Sequence, residues 1–193
     1  LREGLAANDI QAVSGILNGT CNYILSTMEQ TGRAFDDVLS EAQALGYAEA
    51  DPTFDVDGID AAHKLAILQS IAFGVQSNFD NLSITGIRAI TDLDISYAAE
   101  MGYRIRLIGR ATTAGDAGVA PMLLPMGSAL ASVTGPTNAV NYEATPVQTI
   151  SAMGPGAGAG PTASAVVADI MDIASGRNTY PFGRPAKDLA SQS

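Results

Sequence analysis

The sequence predicts an α+β fold, with helices packed on a mixed, largely antiparallel sheet. Two observations carry this expectation. Amphipathic helical spacing dominates the first half of the chain, and short apolar strands separated by Gly, Pro and Asn turns cluster in the second. The 193 residues suit one domain, and 47% apolar residues supply a core that needs no staples.

Taken in order, Ile10 to Leu17 alternates as a strand and ends at Asn18-Gly19-Thr20. The spacing of Tyr23, Ile24 and Met28, and then of Val38, Leu39, Ala42 and Leu45, predicts two helices broken near Thr31-Gly32, with Gly46 closing the second. Tyr47 to Asp57 reads as a loop, rich in acids and interrupted by Pro52. A third helix runs from about Gly58 to Phe73 and stops at Gly74. Asp92 to Met101 is helical, ended by Gly102. The strands that follow are Ile105 to Ile108, Val119 to Leu124, Ala139 to Tyr142 and Thr149 to Met153. Ala163 to Ala174 closes the chain as a helix rich in alanine and valine.

Twenty acidic against ten basic residues give a net charge of −10. Such a surface repels phosphate backbones and anionic lipid, so neither nucleic acid nor a membrane surface is an expected partner. No apolar run approaches the roughly 20 residues of a membrane span. Cys21 is the single cysteine, which rules out an intrachain disulfide and points to a reducing cytoplasm. The start, Leu1-Arg2-Glu3-Gly4-Leu5, has no signal-peptide pattern. It places Arg2 and Glu3 inside a helix-like pattern, as if cut from a longer polypeptide.

The chemistry concentrates between Glu49 and Lys64, where Glu49, Asp51, Asp55, Asp57 and Asp60 crowd together. Crowding of this kind is costly unless a cation or a cationic ligand answers it. A solvated loop whose acids favour the next helix N-terminus also accounts for Asp51 and Asp57. On that helix, at about 100° per residue, Lys64, Ile67, Leu68 and Ile71 share one side with Leu65 and Ala72 beside them, which reads as the core face, while His63, Gln69 and Ser70 point elsewhere. Asp60 lies one turn before Lys64 on the same side. A structural ion pair would explain the two, but a half-buried pair is weak evidence for stability, so a site is the stronger reading. Burial would lower the lysine pKa, and Asp60 would raise it again. A calcium loop fails in register: with Gly58 at the loop glycine, the position of the bidentate Glu falls on Lys64. With one histidine and one thiol, no ordinary zinc site forms, and no metal is expected.

Gly154 to Gly160 follows a strand and precedes a helix, where backbone amides can meet an anion, although a flexible turn is an equally simple account. Neither register of the run satisfies Gly-x-Gly-x-x-Gly, and too few residues follow for a βαβ unit. The loop can touch a cofactor without being a complete dinucleotide site.

Taken together, these segments resemble the homoserine dehydrogenase family. The resemblance rests on Gly15-Ile16-Leu17-Asn18-Gly19-Thr20 with Asn22-Tyr23-Ile24-Leu25, on Ala42 through Pro52, and on Asp57-Gly58-Ile59-Asp60-Ala61-Ala62-His63-Lys64. Asn138-Ala139-Val140, the Gly154 to Gly158 loop and Thr162-Ala163-Ser164-Ala165 agree, so that it covers nearly the whole chain. It implies interconversion of homoserine and aspartate semialdehyde with NADP or NAD, in the biosynthesis of threonine and methionine. By resemblance, Lys64 is the acid/base lysine, and Asp60 is a carboxylate of the same site. Glu49, Asp55, Asp60, Tyr47 and Thr20 hold homoserine, and Gly46, Gly156 and Gly158 approach the nicotinamide. Cys21 stands where a small polar residue such as threonine is expected and is taken only to pack.

The resemblance also implies that residues 1–193 form the substrate-binding and catalytic domain, with 160–193 packing on a nucleotide-binding domain outside the chain. That domain, its further catalytic lysine and the sodium-binding stretch would lie upstream. The sheet between Arg104 and Met153, read as apolar on both faces, is the expected homodimer surface. Two rival readings keep the pocket: a noncatalytic amino-acid-sensing or dimerisation module, and a dehydrogenase of a related amino alcohol. The presence of Lys64 separates the first from an enzyme, because sensing has no need of a proton-transfer group.

Overall fold

The structure is a computed structural model and describes residues 1–177 and 179–191. Residues 2–7 make consecutive turns instead of the expected helical start, with Leu5 N–H reaching Leu1 O and Asn8 N–H reaching Leu5 O. Strand β1, Asp9–Ile16, is followed by α1, Gly19–Thr31, and α2, Phe35–Ala44. The break between the helices is chemical: Gly32 takes φ +66° and turns its N–H back to Met28 O.

The acidic stretch, expected as a loop, contains a short helix, α3, Thr53–Val56. Pro52 starts this turn and does not merely interrupt a loop, because its carbonyl accepts from both Asp55 and Val56 N–H. Helix α4 spans Ile59–Phe73 between two left-handed glycines, Gly58 and Gly74, close to the expected bounds. Then come β2, Val75–Gln76, β3, Ser83–Ile84, and α5, Asp92–Glu100, whose start is fixed by a reciprocal cap between Thr91 and Asp94. The remaining elements are β4, Tyr103–Thr112, β5, Ala117–Pro125, β6, Thr137–Thr145, β7, Gln148–Pro155, α6, Ala159–Ala174, and β8, Ala190–Ser191.

Six strands form one sheet in the order β3-β5-β4-β1-β6-β7, parallel where β3 meets β5 and antiparallel elsewhere. β2 and β8 make a separate parallel pair. The α+β expectation holds. Strands β4 to β7 are longer than their apolar cores suggested, because the ladder continues through polar residues such as Arg104, Arg110 and Thr112. Helix α6 begins earlier than Ala163 because Pro161 sits in its first turn, where a missing N–H costs nothing.

Helices α1, α4 and α5 pack on one face of the sheet. Leu17, Ile24, Leu25, Val56, Leu65, Ile105 and Leu107 meet there in the main core. On the other face the expectation of continuous apolar surface needs correction. Arg104, Arg106, Ile108 and Arg110 alternate with the core-facing residues of β4. Ile16, Ile108, Leu130, Val133 and Ala139 form a second, smaller cluster, and Arg106 is fully buried against Glu29 and the carbonyls of Ala131 and Val133.

The stripe on α4 is also corrected. Its buried residues are Ala61, Ala62, Leu65, Gln69 and Ser70, whereas Ile67 is 55% exposed and Lys64 lies on that open side. The helix is apolar on more than one face, so periodicity alone admitted two candidate core faces. Two alanines let the helix approach the sheet closely. The buried polar pair is satisfied by Ser77, whose Oγ donates to Gln69 Oε1 at 2.8 Å and whose N–H donates to Ser70 Oγ at 3.3 Å.

In the segment 160–193, expected to pack on a nucleotide-binding domain, residues 178, 192 and 193 lie outside the described residues. Helix α6 buries none of its side chains, and Val166, Ile170, Met171 and Ile173 are exposed.

The corrected face of α4 sets a test. Leu65→Ala should cost about 2–5 kcal/mol of unfolding free energy, and Ile67→Ala should stay within about 0.5 kcal/mol. Urea unfolding of both variants checks this, and the reverse order would restore the face read from the sequence.

Candidate active site

The site is assembled where β1 hands the chain to α1. Asn18 caps the helix, its Oδ1 accepting from Cys21 N–H at 2.8 Å, and it is 4% exposed. Its Nδ2 donates to Asp55 Oδ1 at 2.7 Å and to Asp60 Oδ2 at 2.8 Å. Lys64 Nζ reaches the same Asp60 Oδ2 at 2.7 Å and Leu17 O at 3.1 Å. Asn138 Nδ2 donates to that carbonyl too, at 3.0 Å. The i, i+4 relation of Asp60 and Lys64 read from the sequence is therefore a direct ion pair, with the lysine side chain about half exposed (47%) and the aspartate less so (21%).

The walls follow from neighbouring turns. Gly46, at φ +76°, reverses the chain after α2, so that Tyr47 N–H returns to Ala42 O. Thr20 Oγ1 holds Tyr47 O at 2.7 Å, and the Tyr47 ring lies against Tyr23 with centroids 4.9 Å apart. Tyr23 is itself hydrogen-bonded to Glu41, which also pairs with Arg33. Gln43 Nε2 fixes the backbone at Glu49 O (3.0 Å) and Ala50 O (3.3 Å). On the far side Gly156 packs on Asn138, where a β-carbon would come within 2.8 Å of the amide. Gly158, at φ +107°, turns the chain into α6.

These elements enclose an open cavity of about 700 Å³. Thr20, Gly46, Tyr47, Glu49, Asp55, Asp60, Lys64, Gly156 and Gly158, all singled out in the sequence, line it together. Asp51 sits at its edge with Oδ1 turned to Thr53 N–H at 3.1 Å. Asp57 pairs with Arg88, which also reaches Thr53 Oγ1 at 3.1 Å, so these two acids fasten the loop. Asn18, Asn138 and the Leu17 carbonyl are the contributors that sequence reasoning left without a role. Both asparagines stood inside the motifs, and the signal available for Asn18 was its place before a helix.

The electrostatics are unequal. Among the described residues Asp60 and Asp57 have cationic partners, while no cation is in ion-pair contact with Glu49 or Asp55. Burial raises the Asp55 carboxyl above its usual range, the Asn18 hydrogen bond works against that rise, and Asp60 adds to it. Cys21 does more than pack, since its Sγ donates to Asp55 O at 3.2 Å. Burial, followed by Asp55, Asp60 and Asp57, raises its thiol pKa, so it is no nucleophile. Chemically the cavity offers two unpaired carboxylates for a cation and a lysine for proton transfer. The glycines at 46, 156 and 158 carry no side chain there.

A family model described as homoserine dehydrogenase matches residues 1–171. Homoserine dehydrogenase of Neisseria gonorrhoeae is 55% identical over 177 residues, which cover 90% of this chain and 41% of that protein. The Pseudomonas aeruginosa homoserine dehydrogenase is 51% identical over 187 residues, covering 95% and 43%. The crystal structure of a homoserine dehydrogenase from Thiobacillus denitrificans superimposes with a TM-score of 0.92 at 48% identity, covering 100% of this chain and 47% of that one. The chain thus spans less than half the length of these relatives.

Proposed function

The chain belongs to the homoserine dehydrogenase family, and from that premise we propose that it supplies the substrate site and the acid/base lysine for interconversion of L-homoserine and L-aspartate 4-semialdehyde. The observation that carries this is the constellation at the cavity floor. Lys64 Nζ is held between Asp60 and the Leu17 carbonyl, beside two carboxylates that have no cation of their own. An α-amino acid with a side-chain hydroxyl, such as homoserine, answers both halves: its ammonium goes to Glu49 and Asp55, and its hydroxyl goes to Lys64.

In the oxidative direction Lys64 Nζ accepts the hydroxyl proton as the carbon–hydrogen bond breaks, and in reduction it returns that proton. Asp60 orients the amine through its contact with Nζ. Thr20 and Tyr47 close the wall beside the acids. Gly46, Gly156 and Gly158 would border the nicotinamide of NAD or NADP, which would supply the hydride acceptor. No phosphate-cradling Gly-x-Gly-x-x-Gly turn occurs in the sequence, so dinucleotide binding draws on a further domain, against which the exposed apolar side of α6 packs. No described helix is long and apolar enough to cross a membrane. We place the enzyme in the cytoplasm.

The other face of the sheet serves as a homodimer surface in this reading, with Met122 and Met153 at its margins still 38% and 71% exposed. Light scattering at micromolar concentration should report a dimer, and a monomer would remove this part of the proposal.

The lysine is tested in a chimera that carries residues 1–171 in place of their counterpart in the full-length Neisseria gonorrhoeae relative. Lys64→Met keeps the apolar stem on an open helix face, so the melting temperature should stay at the parent value. Homoserine oxidation should fall by about 10²–10⁴. A variant that turns over within a few-fold of the parent would reduce Lys64 to the partner in a surface ion pair.

A further inference from the structure

Two acids that face one cavity repel each other, and burial makes ionising either of them harder. At Asp55 burial raises the carboxyl most, and Asp60 and then Glu49 add to the rise. The hydrogen bond from Asn18 is the strongest effect opposing it, ahead of the charge on Lys64. The Cys21 thiol, which reaches the backbone oxygen of Asp55, completes the titratable groups around it.

The opposing donor is a single nitrogen. With Nδ2 at 2.7 Å from Asp55 Oδ1 and 2.8 Å from Asp60 Oδ2, each of its two protons answers one carboxylate. The side chain is not free to swing. Its Oδ1 is occupied by Cys21 N–H at 2.8 Å, and a β-carbon on the following Gly19 would lie 2.6 Å from Pro136 O, so the turn is packed shut. Capping alone does not explain an amide here, because Ser, Thr or Asp cap a helix about as well. What they lack is a pair of protons for two acids.

We propose that Asn18 is a positioning residue of this site: through its amide it holds Asp55 and Asp60 together as a carboxylate pair, one to receive the substrate ammonium and the other to carry Lys64. The proposal rests on the reading of the cavity as a homoserine site. Without the amide, Asp55 loses the main influence that lowers its pKa and protonates at higher pH, so ammonium binding is lost earlier as pH falls. Asp60 loses one of its two fixed partners and releases Lys64 from its orientation.

The test uses the 193-residue chain and Asn18→Ser, which keeps a capping oxygen and removes the amide. Carboxyl carbon NMR follows Asp55 and Asp60 through a pH titration, and calorimetry follows homoserine binding. The expected result is an upward move of the Asp55 midpoint, with homoserine affinity at neutral pH reduced roughly 10- to 100-fold, the worth of a hydrogen bond to a charged group. An unchanged midpoint would overturn the proposal, even if the variant melts lower, since a purely structural cap would affect melting alone. If Asn18→Ser does not fold, the parent decides. Both side-chain amide protons of Asn18 must shift as Asp55 titrates, and protons that ignore it contradict the proposal. A parent that titrates in this way yet binds no homoserine refutes the assignment of the substrate and leaves the carboxylate pair standing.

Discussion

Two adjacent residues at the end of one central strand hold the active groups together. The Leu17 carbonyl accepts both Lys64 and Asn138, and the Asn18 side chain caps α1 while binding Asp55 and Asp60. They form a good anchor because β1 lies between β4 and β6, hydrogen-bonded on both edges, and cannot shift without disturbing the whole sheet. Close packing transmits that rigidity to the turn. A β-carbon at Gly15 would lie 2.5 Å from Ala139 O, which fixes how closely β6 approaches. The cavity thereby inherits its geometry from the sheet, although most of its lining residues sit on loops.

Charge is divided with similar economy. Of the acids between Glu49 and Asp60, Asp57 is answered by Arg88, Asp60 by Lys64 and Asp51 by a backbone amide. Glu49 and Asp55 face the cavity with no ion-pair partner among the described residues, and Asp55 carries the electrostatic strain of that arrangement. An ammonium bound between them would relieve it. Destabilised groups of this kind are expected where binding energy is to be gained, and a purely structural loop would have no use for them.

Much of this was legible in the sequence, for identifiable reasons. Gly32, Gly58 and Gly74 sit at helix ends because left-handed backbone favours glycine, so the helix bounds were close. Thr20, Tyr47, Glu49, Asp55, Asp60 and Lys64, which the resemblance named together, line one cavity. The buried face of α4 was misread because apolar residues surround that helix, and the choice between Ile67 and Leu65 depends on where the sheet lies. Gln69 and Ser70, read as pointing away from the core face, are buried because their partner, Ser77, lies beyond the helix end. Asn18 went without a role because its hydrogen bonds span 37 and 42 positions along the chain, and no local pattern reports a contact at that range. The face of the sheet opposite Ile105 and Leu107 looked apolar in short windows, while Arg104, Arg106 and Arg110 alternate through it.

The claim at the centre is that this one cavity reads an ammonium with its unpaired acids and a hydroxyl with its lysine. A crystal structure of the 193-residue chain with L-homoserine tests it most directly. The account predicts the amino group between Glu49 and Asp55 and the hydroxyl within hydrogen-bond reach of Lys64 Nζ, with Asn18 still bridging Asp55 and Asp60. Homoserine seated with its hydroxyl turned away from Lys64, or its amino group away from both acids, would contradict it.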